Sequence, residues 1–169
     1  MRAWMLPERC LSIDAMALAE CALPELAADE VLIRVRAGSI NYRDQLIPKG
    51  LYFGGPIAAA GVPLSDGVGV VEAVGGDVSA LKVGDRVAGT FFQGWQDGPP
   101  TPLMGDALGA PPAKGMLADY VALPASGVVK LADTLSFDEA ATLPCAGVTA
   151  WNALMCGIRP IKADSTVLL

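Results

Sequence analysis

The side chains that could do chemistry in this chain are few, and histidine is not among them. None of the 169 residues is His, which removes the commonest metal ligand and the commonest general base together. Four cysteines, Cys10, Cys21, Cys145 and Cys156, are scattered without a Cys-x-x-Cys pair. With no secretory signal they read as reduced thiols rather than a disulfide framework. Cys145 follows a proline, a setting in which Cys is most often a small buried apolar residue. What remains is hydrogen-bonding chemistry. Asn41 follows a strand, where Asn either forms a turn or presents its amide. Tyr52 lies in a Gly-flanked loop, where its hydroxyl can donate to an oxygen gaining negative charge or its ring can simply pack. Asp44 and Asp66 read as carboxylates that order their loops.

The elements that must position these residues are mostly short strands. In "DEVLIRVRAGSIN" Val31, Ile33 and Val35 alternate with Leu32, Arg34 and Arg36, the pattern of a half-buried antiparallel strand. "GVGVVEAVGGDVSALKVGDRVAG" holds two valine-rich runs separated by a Gly-Gly-Asp turn, with a second turn at 83–85. "ADYVALPASGVVKL" reads as two strands around Pro-Ala-Ser-Gly. Such strands at this spacing predict a partly closed barrel. Residues 91–115, rich in Gly and Pro, read as an excursion from it.

The pattern changes at Ser136. Ser136 and Glu139 form a capping box, and Asp138 and Glu139 favour a helix N-terminus. The sequence predicts a short helix, a break at Leu143-Pro144, and a second helix through Trp151 to Met155, ended by Cys156-Gly157. Trp151, with Leu154 at helical spacing, packs in the core or at a domain interface. "STVLL", residues 165–169, reads as a buried strand of a parallel sheet. The boundary falls at about 125–135.

Charge and hydropathy exclude several classes of partner. With 18 acidic and 12 basic residues the net charge is −6, which opposes a nucleic-acid partner. No apolar run reaches the roughly 18–20 residues that span a bilayer, so no membrane partner is expected. Glu8, Arg9 and Asp14 interrupt the N-terminal stretch where a signal peptide is apolar. A cytoplasmic location follows as the expectation.

"AGSINYRDQLIPKGLY", "GVPLSDGVGVVEAVGGDVSALKVGDRV", "GMLADYVALPASGVVKL" and "SFDEAATLPCAGVTAWNAL", in that order, resemble the medium-chain dehydrogenase/reductase superfamily from about residue 24 to the end. The likeness is greatest to its zinc-independent branch, the quinone oxidoreductase-like enzymes and their alcohol dehydrogenase-like relatives. The resemblance implies a mainly β fold with some helix (α+β). Residues 1–130 form a GroES-like, partly open β-barrel that binds substrate. Residues 131–169 form a helical connection and the first strand of a Rossmann domain that is absent or truncated, with the glycine-rich phosphate turn following Leu169. It further implies NADP(H) or NAD(H) as cofactor, a small-molecule substrate, a homodimeric full-length protein, and an isolated chain without activity.

Zinc is not expected. In the zinc-dependent branch a Cys lies three residues before the Asp that matches Asp44; that place here is Asn41. A Gly-His-Glu motif there matches a segment whose His and Glu places are Ser65 and Asp66, and a third ligand matches Cys145. A catalytic zinc needs three protein ligands, and neither Asn nor Ser supplies thiolate, imidazole or carboxylate. Residues 91–115 contain none of the cysteines of the structural-zinc lobe. By the same resemblance, Asn41 and Tyr52 lie in the substrate and nicotinamide cleft, and Asn41 and Thr149 touch the cofactor. Tyr52, with Tyr42 as second candidate, donates to a developing enolate or phenolate oxygen, while Asp44 and Asp66 support the cleft. The reading is hydride reduction of quinones, enones or related carbonyls. Its rivals are a non-catalytic GroES-like binding or scaffolding module and a zinc-dependent alcohol dehydrogenase, the latter opposed by the ligand count.

Overall fold

The computed structural model describes residues 1–52, 54–102, 105, 107–156 and 161–167. Its strands are β1 (Arg2–Met5), β2 (Ala17–Glu20), β3 (Glu30–Ser39), β4 (Asp66–Val74), β5 (Arg86–Gly89), β6 (Tyr120–Pro124) and β7 (Val128–Lys130); its α-helices are α1 (Tyr42–Leu46), α2 (Phe137–Ala141) and α3 (Val148–Met155). Five strands make one antiparallel sheet in the order β6-β3-β4-β5-β7, while β1 and β2 pair separately. The sheet curls into a half-barrel, mainly β with a few helices, as expected.

The alternation read in β3 is what the fold uses. Val31 and Ile33 are fully buried, and with Val71, Val87, Val121 and Leu123 they fill the concave side. Two register shifts between β3 and β4, at Leu32/Ile33 and at Val35/Ala37, are bulges of the kind that bend a sheet into a barrel. Gly69 opposes Val35 at the second one. A Cβ there would stand 2.1 Å from the Arg34 carbonyl oxygen, so the sheet closes only around glycine.

The 78–82 run between the two turns is not a strand, so only the first of the two valine-rich runs forms β4 before β5 begins at Arg86. The β1–β2 pair was not expected, since "RAWM" and "ALAE" are short and carry no β-branched residue, with weak strand preference. Long-range bonds hold β1 in place: Trp4 N–H donates to the Leu117 carbonyl (3.0 Å) and Asp119 N–H to the Arg2 carbonyl (2.9 Å).

The capping box forms as read. Glu139 N–H donates to Ser136 Oγ (3.2 Å) and Ser136 N–H to Glu139 Oε2 (2.9 Å). Ala140 and Ala141 then pack on Val68 and Ala88, fastening α2 to the sheet. Pro144 has no N–H to continue the helix. Residues Leu143–Gly147 adopt a π-helical turn, with Gly147 N–H donating to the Thr142 carbonyl (3.1 Å), before α3 resumes. The break and the second helix lie where the sequence placed them. The terminal strand differs. Residues 165–167 are irregular, since among the described residues no strand lies beside them to pair; Leu168 and Leu169 lie outside the described residues. Trp151 is 64% exposed, so its role is not in the core of this chain.

Candidate functional site

The residues around Asn41 form a continuous hydrogen-bonded chain. Asn41 caps α1: its N–H donates to Asp44 Oδ2 (2.7 Å), and Asp44 N–H returns to the Asn41 carbonyl (3.0 Å). The Asn41 amide Nδ2 donates to Ser65 Oγ at 3.4 Å. Ser65 Oγ in turn donates to Asp66 Oδ1 at 2.9 Å. Asp66 Oδ2 accepts the Cys145 N–H at 3.1 Å. Ser65 and Asp66 are both fully buried. This relay ties the end of β3, the start of β4 and the π-helical turn, three places distant in sequence. Leu64, just before it, has a φ of +80°, a left-handed conformation that is an outlier for a bulky residue. Such strain persists where the surroundings over-determine the backbone; here Met116 N–H donates to the Leu64 carbonyl (2.8 Å).

Beside the relay stands a residue the sequence reading passed over. Arg43 is only 7% exposed. Its guanidinium carbon lies 4.8 Å from the Tyr52 ring centroid and 4.7 Å from that of Phe91, a stacked cation held by two aromatic faces. Nη1 donates to the Leu108 carbonyl at 2.7 Å, whereas Nε and Nη2 are buried without a partner. The signal was there in part. Ile47, one helical turn on, is buried, and residues four apart share a helix face. Arg43 and Tyr52 wall a cavity of about 480 Å³, otherwise lined by Ile47, Ile57, Ala107 and Pro111 among others. A second, apolar cavity of about 380 Å³ lies between β5, β7 and the π-helical turn, bordered by Phe91, Leu143 and Val148.

Burial pushes the Cys145 thiol above its usual range, and the nearby Asp66 carboxylate pushes it the same way; the Arg43 guanidinium and a hydrogen bond from Thr149 oppose them. Burial likewise raises Asp44, against the hydrogen bonds that favour its ionised form. A thiol held protonated is a poor nucleophile. In iodoacetamide labelling near neutral pH followed by peptide mass spectrometry, exposed Cys156 should therefore be modified well before Cys145 and buried Cys10. Labelling of Cys145 first would mark it as an activated thiolate instead.

The structure thus brings Asn41, Asp44, Asp66 and Cys145 together, with Tyr52 reaching the same region through Arg43. Thr149 lies on the exposed side of α3, where its hydroxyl weakly favours the Cys145 thiolate. Tyr42 is 75% exposed and shares neither the relay nor the Arg43 cavity.

The alcohol dehydrogenase GroES-like domain profile matches residues 27–133, more than half of the chain. The chain belongs to that family. This GroES-like domain is 43% identical over 142 residues to a zinc-type alcohol dehydrogenase-like protein of Schizosaccharomyces pombe, covering 83% of this chain and 41% of that protein. It is 34% identical over 155 residues to the 2-methylene-furan-3-one reductase of Solanum lycopersicum, covering 91% of this chain and 37% of the reductase. A mycobacterial protein solved in complex with NADPH superposes with a TM-score of 0.68 at 26% identity, over 91% of this chain and 40% of that one. The chain therefore spans about two fifths of the length of these medium-chain dehydrogenase/reductase relatives.

The zinc-type name of the first relative calls for a test of the donor set in this GroES-like domain. Among the described residues no three His, Cys, Asp or Glu side chains are grouped to hold a metal ion. At the places of the three ligands stand an amide, a hydroxyl and a thiol, with both Asp66 oxygens already accepting hydrogen bonds. This set does not fit a catalytic zinc. Among the described residues no helix is long and apolar enough to cross a membrane.

Proposed function

We propose that this chain is the substrate-binding part of a larger, zinc-independent, NAD(P)H-dependent oxidoreductase that reduces conjugated carbonyls such as enones and quinones. The observation that carries the reading is the Asn41–Ser65–Asp66–Cys145 relay, which fills with hydrogen bonds the places a metal would need. The likeness to a furanone reductase supports a conjugated carbonyl as substrate, and the likeness to an NADPH complex supports the cofactor. Leu143, Val148 and Trp151 leave an apolar face uncovered, which suits a chain that packs against a further domain.

The nicotinamide, when bound, supplies the hydride. The chain's own residues bind, orient and polarise. Tyr52 donates a hydrogen bond from its hydroxyl to the carbonyl oxygen as that oxygen gains charge, an interaction strongest in the transition state. Asn41, its amide anchored on Ser65, and Thr149, exposed at the edge of α3, position the cofactor's reactive end. The relay fixes the walls of the cleft, since a misplacement of about 1 Å can lower rates roughly a hundredfold.

The assay is direct. With NADPH or NADH, the full-length protein should reduce enones and quinones, keep that activity after chelator treatment, and leave simple alcohols unoxidised. Alcohol oxidation abolished by chelators and restored by zinc would refute the proposal. Absence of any nicotinamide-dependent turnover would favour a binding module.

A further inference from the structure

Arg43 is a buried cation with an unused edge. Three of its features are independent of the redox reading: it is more than nine-tenths buried, its Nη1 is committed to the Leu108 carbonyl, and its Nε and Nη2 have no partner. Those two nitrogens are the pair on one side of the guanidinium, whose N–H groups point in parallel. That is the geometry of side-on, two-point recognition of a carboxylate. A buried charge left unpaired is costly, and nearly all buried polar groups in folded proteins have partners. Stacking on Tyr52 and Phe91 addresses the faces of the guanidinium and leaves its edge unanswered.

Arg43 also forms part of the wall of the 480 Å³ cavity, whose other lining is almost entirely apolar. We propose that this cavity is a subsite for a carboxylate, which pairs with Nε and Nη2 of Arg43 while the apolar remainder of the ligand lies against Ile47, Ile57 and Ala107. A phosphate fits less well. It carries more oxygens than two N–H groups satisfy, and no second cation lines the cavity among the described residues. Both nitrogens are covered in this structure, so a carboxylate reaches them by rearrangement of the cavity wall around Arg43. The identification of the ligand's remainder as a conjugated carbonyl rests on the proposed function; the carboxylate subsite does not.

Arg43 and the apolar wall residues named above all belong to this chain, so the 169-residue chain serves for the test. The probes are 4-oxopentanoate and its primary amide, which match in shape, differ in charge and do not alkylate thiols. Titrations followed by nuclear magnetic resonance of the ¹⁵N-labelled chain should move the Arg43 Nε–H signal with the carboxylate. The carboxylate should bind at least about tenfold more tightly than the amide, the worth of one charge-assisted hydrogen bond. In Arg43→Gln that ratio should fall to about one. Arg43→Lys, which keeps the charge and loses the parallel pair, should lose most of the preference. Equal binding of the two probes by the unaltered chain would overturn the proposal whether or not either variant folds, as would tighter carboxylate binding that leaves Arg43 Nε–H unmoved. Carboxylate selectivity in a protein that reduces no conjugated carbonyl would uphold the subsite and refute the redox reading. Turnover of neutral enones with no carboxylate selectivity would do the reverse.

Discussion

Replacing Asp66 by Ala should destabilise the chain by about 3–5 kcal/mol, since two buried donors lose their carboxylate acceptor. The residue is fully buried, and its two oxygens each accept one hydrogen bond, from Ser65 Oγ and from the Cys145 N–H. Hydrogen bonds to a charged group are worth about 1.5–3 kcal/mol each, and donors left buried and unpaired add their own desolvation. The smaller side chain also leaves a void at the start of β4. For a chain of this size each kcal/mol lowers Tm by about 2–4 °C, so a fall on the order of 10 °C is expected in thermal unfolding. Asp66→Asn should cost less, since one amide oxygen can still accept while the amide nitrogen faces a donor. An Asp66→Ala variant as stable as the parent would mean that the relay does not hold the π-helical turn to the barrel.

Tyr52→Phe, in the full-length protein, should lower kcat and kcat/KM together by about a hundredfold, the low end of what losing one oxyanion donor costs. The ring stays, and with it the stacking on Arg43 and the packing near Leu6 and Ile47. Thermal unfolding of the variant, measured beside its kinetics, separates lost catalysis from lost stability. Asn41→Ala should differ in kind. It frees Ser65 and loosens the cleft, raising KM at least as much as it lowers kcat. Kinetic constants for Tyr52→Phe within about twofold of the parent would remove Tyr52 from the groups that stabilise the transition state.

The barrel was legible because its signals are local. Val31, Ile33 and Val35 alternate within a single strand, and Ser136 and Glu139 form their box across one helical turn. The relay was legible only as separate residues. Asn41, Asp44 and Asp66 were recognisable, but the bond from Cys145 to Asp66 crosses 79 positions, and no local pattern encodes it. Arg43 was missed for a physical reason. A charged residue between Tyr42 and Asp44 defaults to the surface, and only the arrival of Leu108, Tyr52 and Phe91 from other segments makes its burial tolerable. Strands β1 and β2 escaped notice because their mutual pairing, and for β1 the bonds to Leu117 and Asp119, supply what their own sequences lack. For the terminal strand the reverse holds: its hydrophobic pattern is clear, and the neighbours that would make it a strand are not among the described residues.

Hydrogen bonds among Asn41, Ser65, Asp66 and Cys145 fill the places that a catalytic zinc would need. Elemental analysis of the full-length protein, washed with chelator and assayed for enone reduction before and after, tests this most directly. The expected result is less than about 0.1 zinc per chain with activity undiminished. About one tightly held zinc per chain, with activity lost on its removal and regained on its return, would contradict it.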